Sequence, residues 1–307
     1  MRPREALPVE AAIALGAFAV VAVEILVTYS RLPARELYHV SGSELEGGLS
    51  RALVFANFPT ALVALAVLGI AYERLRFRAV AIVAAVLCAF VFWPGVVDQA
   101  DLDARPINAA AAIGVLVTCL LVATAAPLAR GGRQPGDKAR VAIAVPLVLV
   151  SIPWFAAELG FFLDGVPLLD RLFETGHYLH NRAALPPFPP AVHHGHHHGM
   201  DGLLLVLSAL LLSRTLGGVR GRALRSAVPA YLALMLCYGL ANMANDFWIE
   251  QIFKRGLTSW QVPNVLEPRP TIAWGIIVLA AATLWWLLSQ AGAASRSRDP
   301  GPAAPHG

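Results

Sequence analysis

A chain of 307 residues that is 57% hydrophobic and only 14% charged, with a mean hydropathy of +0.61, lies far below the roughly 25% charge of a soluble domain and points to lipid. Its formal net charge of +4 invites a nucleic-acid reading, but the basic residues stand in short runs between apolar segments, with no patch interleaved with aromatics. That is the pattern of membrane topology, and it excludes nucleic acid as a partner.

A helix needs about 20 apolar residues to cross a bilayer. Eight segments qualify, at residues 10–29, 52–72, 79–97, 108–129, 141–163, 202–219, 227–247 and 271–289. The fold class expected is therefore an all-α integral membrane protein of about eight transmembrane helices; the third and sixth are the shortest, so seven is the alternative. The first segment follows Met1-Arg2-Pro3-Arg4 as a signal peptide would, but it is too long, contains Glu24 and is followed by no small-residue cleavage site. It reads as an uncleaved first span. Cys88, Cys119 and Cys237 all fall within apolar segments and imply no disulfide framework.

The loops between the segments set the orientation. With the N-terminus inside, the cytoplasmic segments hold 15 of the 24 basic residues, among them Arg74, Arg76, Arg78, Lys138, Arg140 and Arg214. Every boundary then obeys the positive-inside rule, both termini are cytoplasmic, and an even number of spans follows. Arginine outnumbers lysine 22 to 2, which suggests a GC-rich genome and a bacterial plasma membrane.

The two halves carry matching signatures in the same order. Val23-Glu24-Ile25 followed by Glu36-x-x-His39 answers to Ala157-Glu158-Leu159 followed by Glu174-x-x-His177. Leu87-Cys88 and Asp98 answer to Leu236-Cys237 and Asp246, and Leu102-Asp103-Ala104-Arg105-Pro106 answers to Leu266-Glu267-Pro268-Arg269-Pro270. A parallel 4+4 internal repeat is predicted: residues 1–135 form one half, residues 136–290 form the other with a histidine-rich outer loop at 164–201, and residues 291–307 are a disordered cytoplasmic tail.

Under this topology the outer side carries thirteen of the twenty carboxylates and eight of the nine histidines, so the chemistry is on one face. Glu24 and Glu158 lie inside spans one and five, roughly 7–8 Å below the outer boundary, where a carboxylate needs a cavity, a partner or a cation. Asn57, Asn242 and Asn245 are polar residues at the same depth, and Asn57 precedes Pro59, which opens the helix locally. Their bland role is to bond one helix to another. The Glu-x-x-His pairs place carboxylate and imidazole on one helical face. With Glu24 and Glu158 they make four carboxylates and two histidines, the ligand set of di-iron and di-manganese carboxylate bundles.

Between spans five and six, His177-x-x-His180 and a proline-rich linker lead to His193-His194-Gly195-His196-His197-His198, a tract that binds Zn, Ni, Cu or Co whatever the fold; the cofactor expected of the protein as a whole is Zn, Fe, Mn or Cu. Its His194-x-x-His197-His198 resembles one histidine box of membrane di-iron desaturases and hydroxylases. The resemblance is confined to that box, on the opposite face of the membrane and without its partner boxes, so no family is assigned. The metal-ligand candidates are Glu24, Glu36, His39, Glu158, Glu174, His177, His180, His194, His197 and His198. Asn57, Asp98, Asn242, Asp246, Arg105 and Arg269 are candidates for the surrounding polar pocket. Asp103/Arg105 and Glu267/Arg269 read as ion pairs or caps where spans four and eight begin.

No Gly-rich phosphate loop calls for a nucleotide, and no span carries a histidine to ligate heme. The expected function is an outward-facing site for a divalent or transition metal, extending to a metal-dependent membrane enzyme acting on a lipid-soluble or periplasmic small molecule. The alternatives are a metal-ion transporter or delivery protein, which needs a polar file through the inner half, and a non-catalytic assembly factor or receptor.

Overall fold

Apolar residues without long β-branched runs, punctuated by proline and glycine, give helices throughout the computed structural model, which describes residues 6–31, 40–98, 101–125, 127–152, 155, 167, 198–253 and 255–297. In chain order these are α1 (Val9–Tyr29), α2 (Glu44–Ala71), α3 (Arg78–Phe92), α4 (Pro106–Ala123), α5 (Asp137–Val150), α6 (His198–Ser213), α7 (Arg222–Phe253) and α8 (Ile272–Ser297). Five of them (α1, α2, α4, α7 and α8) are long and apolar enough to cross a membrane; α3 and α6 are apolar but shorter. α2 starts at residue 44, eight residues before the predicted span, and α6 at 198, four before it. α8 continues to Ser297, into the stretch expected to be a tail.

Local sequence explains the helix starts and the irregular turns. Pro106 opens α4 at a position where its missing N–H costs nothing. Gly136 precedes α5 with φ +82°, a left-handed conformation that glycine adopts without strain. Within α2, Pro59 has no N–H to give the Phe55 carbonyl one turn earlier. Residues Ala56–Thr60 widen into a π turn, and the Thr60 hydroxyl donates to the Phe55 carbonyl at 3.2 Å instead. α7 closes in a second π turn at Trp248–Phe253.

Helix α2 is the centre of the bundle, with 72% of its most apolar stretch buried, against 11% for α8. Val20 and Val23 on α1, Val83 and Val86 on α3, Leu116 and Leu120 on α4, and Ile276 and Leu279 on α8 all point outward. A soluble monomer does not leave apolar side chains exposed along whole helices; lipid contact accounts for them. Two helix pairs meet at backbone distance. A Cβ on Gly202 of α6 or on Gly239 of α7 would lie 2.6 Å from the other residue's carbonyl oxygen. On α2, a Cβ on Gly48 would lie 2.6 Å from the Leu26 carbonyl of α1.

The connections gather at two ends. At the basal end, Leu7–Pro8 pairs in parallel with Leu128–Ala129, Glu10 meets Arg214 at 3.0 Å, and Asp137 meets Arg214 at 3.0 Å and Arg140 at 3.1 Å. Arg140 also donates to the Ser213 hydroxyl (2.8 Å), and Glu73 accepts the Arg220 N–H (2.7 Å). At the crown end, Asp103 accepts from both the N–H and the hydroxyl of Ser41 (2.8 and 2.6 Å), and Asn245 and Trp248 donate to the carbonyls of Pro263 and Trp260.

Candidate functional site

Because α2 begins early, Arg51 lies two turns inside a helix instead of in a loop. The Gly48 contact brings this part of α2 against the last turns of α1, and the Arg51 guanidinium sits over the Tyr29 ring, 5.4 Å from its centroid. Arg51 is 5% exposed. Across the bundle, the Gly202–Gly239 crossing sets the first turn of α6 against the middle of α7. Asp201, on that first turn, is 8% exposed. The Tyr238 hydroxyl donates to the Leu266 carbonyl at 2.7 Å. Its ring stands 6.0 Å from that of Phe58 and 4.9 Å from that of Trp274.

Tyr238 begins a stripe. Asn242, Asp246 and Glu250 follow it at four-residue intervals along one face of α7, all of them buried. Asn57 lies on the π turn of α2, next to Phe58. It is 1% exposed, and neither its Oδ1 nor its Nδ2 has a partner among the described residues. The Nδ2 of Asn242, the Nε of Arg51 and the Oδ1 of Asn108, in the first turn of α4, are likewise buried without one. Unmet buried polar groups cost a fold stability, so each of these asks for a reason other than packing.

Of the residues singled out from the sequence, Asn57, Asn242 and Asp246 belong to this buried region. Asp98, Arg105 and Arg269 stand in ion pairs of the crown loops. The pairing around Arg105 differs from the expected one: Arg105 lies 3.8 Å from Asp98 and 3.4 Å from Asp101, because Asp103 is engaged by Ser41. Arg269 does meet Glu267, at 2.6 Å. Glu24 is half-buried and accepts the hydroxyl of Thr28, one turn along its own helix.

Glu36, His39, Glu158, Glu174, His177, His180, His194 and His197 lie outside the described residues. His198 is described only as the first backbone position of α6. Among the described residues no group of three or more His, Cys, Asp or Glu side chains stands close enough to hold a metal ion.

Arg51, Asp201, Tyr29 and Tyr238 were not candidates from the sequence. The first two stand one residue outside the apolar windows at 52–72 and 202–219, where a charge reads as a loop residue. The signal that would have found them is helix continuation beyond the apolar window, together with the four-residue stripe 238-242-246-250.

At the basal end, the Gln134 N–H and then the Arg214 guanidinium hold the Asp137 carboxyl below the usual carboxylate range. Comparison of the chain with protein-family models, curated proteins and solved structures finds no match in any of the three. The functional reading therefore rests on these residues.

Proposed function

We propose that this is a plasma-membrane protein of eight crossings, built as two four-helix halves with both termini cytoplasmic. Its polar site opens outward, binds a divalent or transition metal, and acts on the polar end of a lipid-soluble or periplasmic molecule as a metal-dependent membrane enzyme. One observation carries this reading. Buried polar side chains of α2, α6 and α7, Arg51, Asn57, Asp201, Asn242, Asp246 and Glu250, lie in the crown half, whereas the basal half is closed by the Glu10–Arg214–Asp137–Arg140 ion pairs. A site reached from one side suits binding or chemistry at the outer leaflet; a transport path needs polar groups leading inward.

The histidine tract supports the placement of the metal. In sequence it leads directly into α6, which begins at His198, three residues before Asp201. The crown loops pack on one another through Ser41 and Asp103, which favours an enclosed site over splayed loops awaiting a partner protein.

Elemental analysis of the protein purified in detergent tests the reading. The wild type is expected to retain stoichiometric metal, and Glu24→Ala/Glu158→Ala to lose most of it. Metal retained in full by that variant, and lost only when residues 193–198 are deleted, overturns a metal site in the core.

A further inference from the structure

A groove of about 410 Å³ lies on the flank of the bundle between α2 and α3, with Leu224 of α7 at its basal end. Its origin is in the packing. α2 is held to α7 by the Tyr231 hydroxyl, which donates to the Leu62 carbonyl at 2.9 Å, and at Gly69, where a Cβ would come within 2.9 Å of Val228. α3 returns alongside with Ala81, Ala85 and Ala89 lining the groove, and methyl side chains are too short to fill the gap. The opening is sideways: Ile82 and Val86 on the α3 edge are 51% and 56% exposed. From Ala81 to Ala89 the helix rises roughly 12 Å at 1.5 Å per residue, most of the ~15 Å that one leaflet of hydrocarbon occupies.

The basal mouth of this groove is cationic. Residues 72–78 and 218–225 carry six arginines and one carboxylate. The carboxylate, Glu73, accepts the Arg220 N–H at 2.7 Å. Arg74 donates to the Ile70 and Gly218 carbonyls, each at 3.0 Å, and so ties the two stretches together. The Arg78 guanidinium stands 5.7 Å from the centre of the Tyr72 ring, which lines the groove. It gives one N–H to the Glu73 carbonyl at 2.9 Å, and a guanidinium has five. Arg222 and Arg225 flank Leu224, and both are exposed, as is Arg78.

An occupant that enters from the side, lies in an apolar groove about one leaflet deep and ends among arginines has a hydrocarbon chain and an anionic head. Water gains nothing from such a lining, where Tyr72 alone carries a polar side-chain atom. The guanidinium fork matches phosphate oxygens, and basic pockets between membrane helices take anionic head groups. We propose that the groove holds an acyl chain of an anionic glycerophospholipid, with its phosphate at Arg78 and the Arg222/Arg225 pair. This site is at the opposite end of the bundle from the one proposed for metal and does not depend on it.

Native mass spectrometry tests the proposal on the full-length protein in mixed micelles of equal phosphatidylglycerol and phosphatidylcholine. One phosphatidylglycerol per chain should survive removal of the micelle, favoured over phosphatidylcholine by about twentyfold or more, since each arginine near the phosphate contributes roughly fivefold. Arg78→Gln/Arg222→Gln/Arg225→Gln should bring that preference below about twofold. Ala85→Phe fills the groove, leaves the arginines in place and should lose most of the retained lipid. Should it leave too little folded protein, Ala89→Phe makes the same block at an exposed position.

Four results overturn the proposal. Undiminished retention by the folded groove variant would mean attraction of the head group alone. Equal retention of the two lipids by the wild type would mean a chain site without charge recognition. Lipid-free dimers would put a second copy of this chain in the groove, and a lipid-free monomer would leave it without a bound lipid.

Discussion

Glu10 and Arg214 show how unequal two ion pairs on one network can be. Glu10 is 3% exposed and pairs with Arg214, so Arg214→Ala strands a buried carboxylate and should cost about 3–5 kcal/mol, read as a fall in unfolding midpoint. Arg140→Ala leaves Asp137 still held by Arg214, and its midpoint should barely move. The same network makes stability depend on pH in a defined direction. The carboxyl of Asp137 is depressed in the folded state, so its contribution is present above the ordinary carboxylate range and is lost as pH falls through the lower folded value. Unfolding scans from pH 7 to pH 3 should show an acid-induced drop that is smaller in Asp137→Asn.

Helix pairs impose their own constraints, and glycine marks them. Gly239→Ala pushes a methyl to within 2.6 Å of the Gly202 carbonyl, where a backbone atom cannot step aside as a side chain can. A loss of about 1–3 kcal/mol is expected, with α6 and α7 moving apart. Pro59 acts the opposite way. Pro59→Ala restores the missing N–H and allows α2 to run as a regular helix, which should raise Tm. An unchanged Tm would show that the π turn costs α2 nothing.

The whole bundle is organised by lipid on its outside and by polar groups at its two ends. Orientation in the membrane is directly measurable. With the native cysteines replaced, a single cysteine at Thr258, in the loop after α7, should react with an impermeant maleimide on intact cells. One at Arg133, between α4 and α5, should react only after lysis. The reverse pattern would invert the bundle and place the crown end toward the cytoplasm.

Composition and the spacing of apolar runs were enough to read a mostly helical chain with several helices apolar enough to cross a membrane, and the approximate seats of those helices, since each depends on residues close in sequence and on the cost of exposing charge to lipid. The π turn was foreshadowed by Pro59, again a local cause. What tertiary structure alone decided is which distant charges meet. Arg105 chose Asp98 and Asp101 because Ser41 had taken Asp103. Glu10, Asp137 and Arg214 close the basal end although they come from α1, α5 and the turn after α6. Arg51 and Asp201, each one residue outside an apolar run, became interior because helices extend until a cap or a packing partner stops them. How the segments that carry them pack follows from where glycines let backbones touch, and periodicity along a single segment does not encode it.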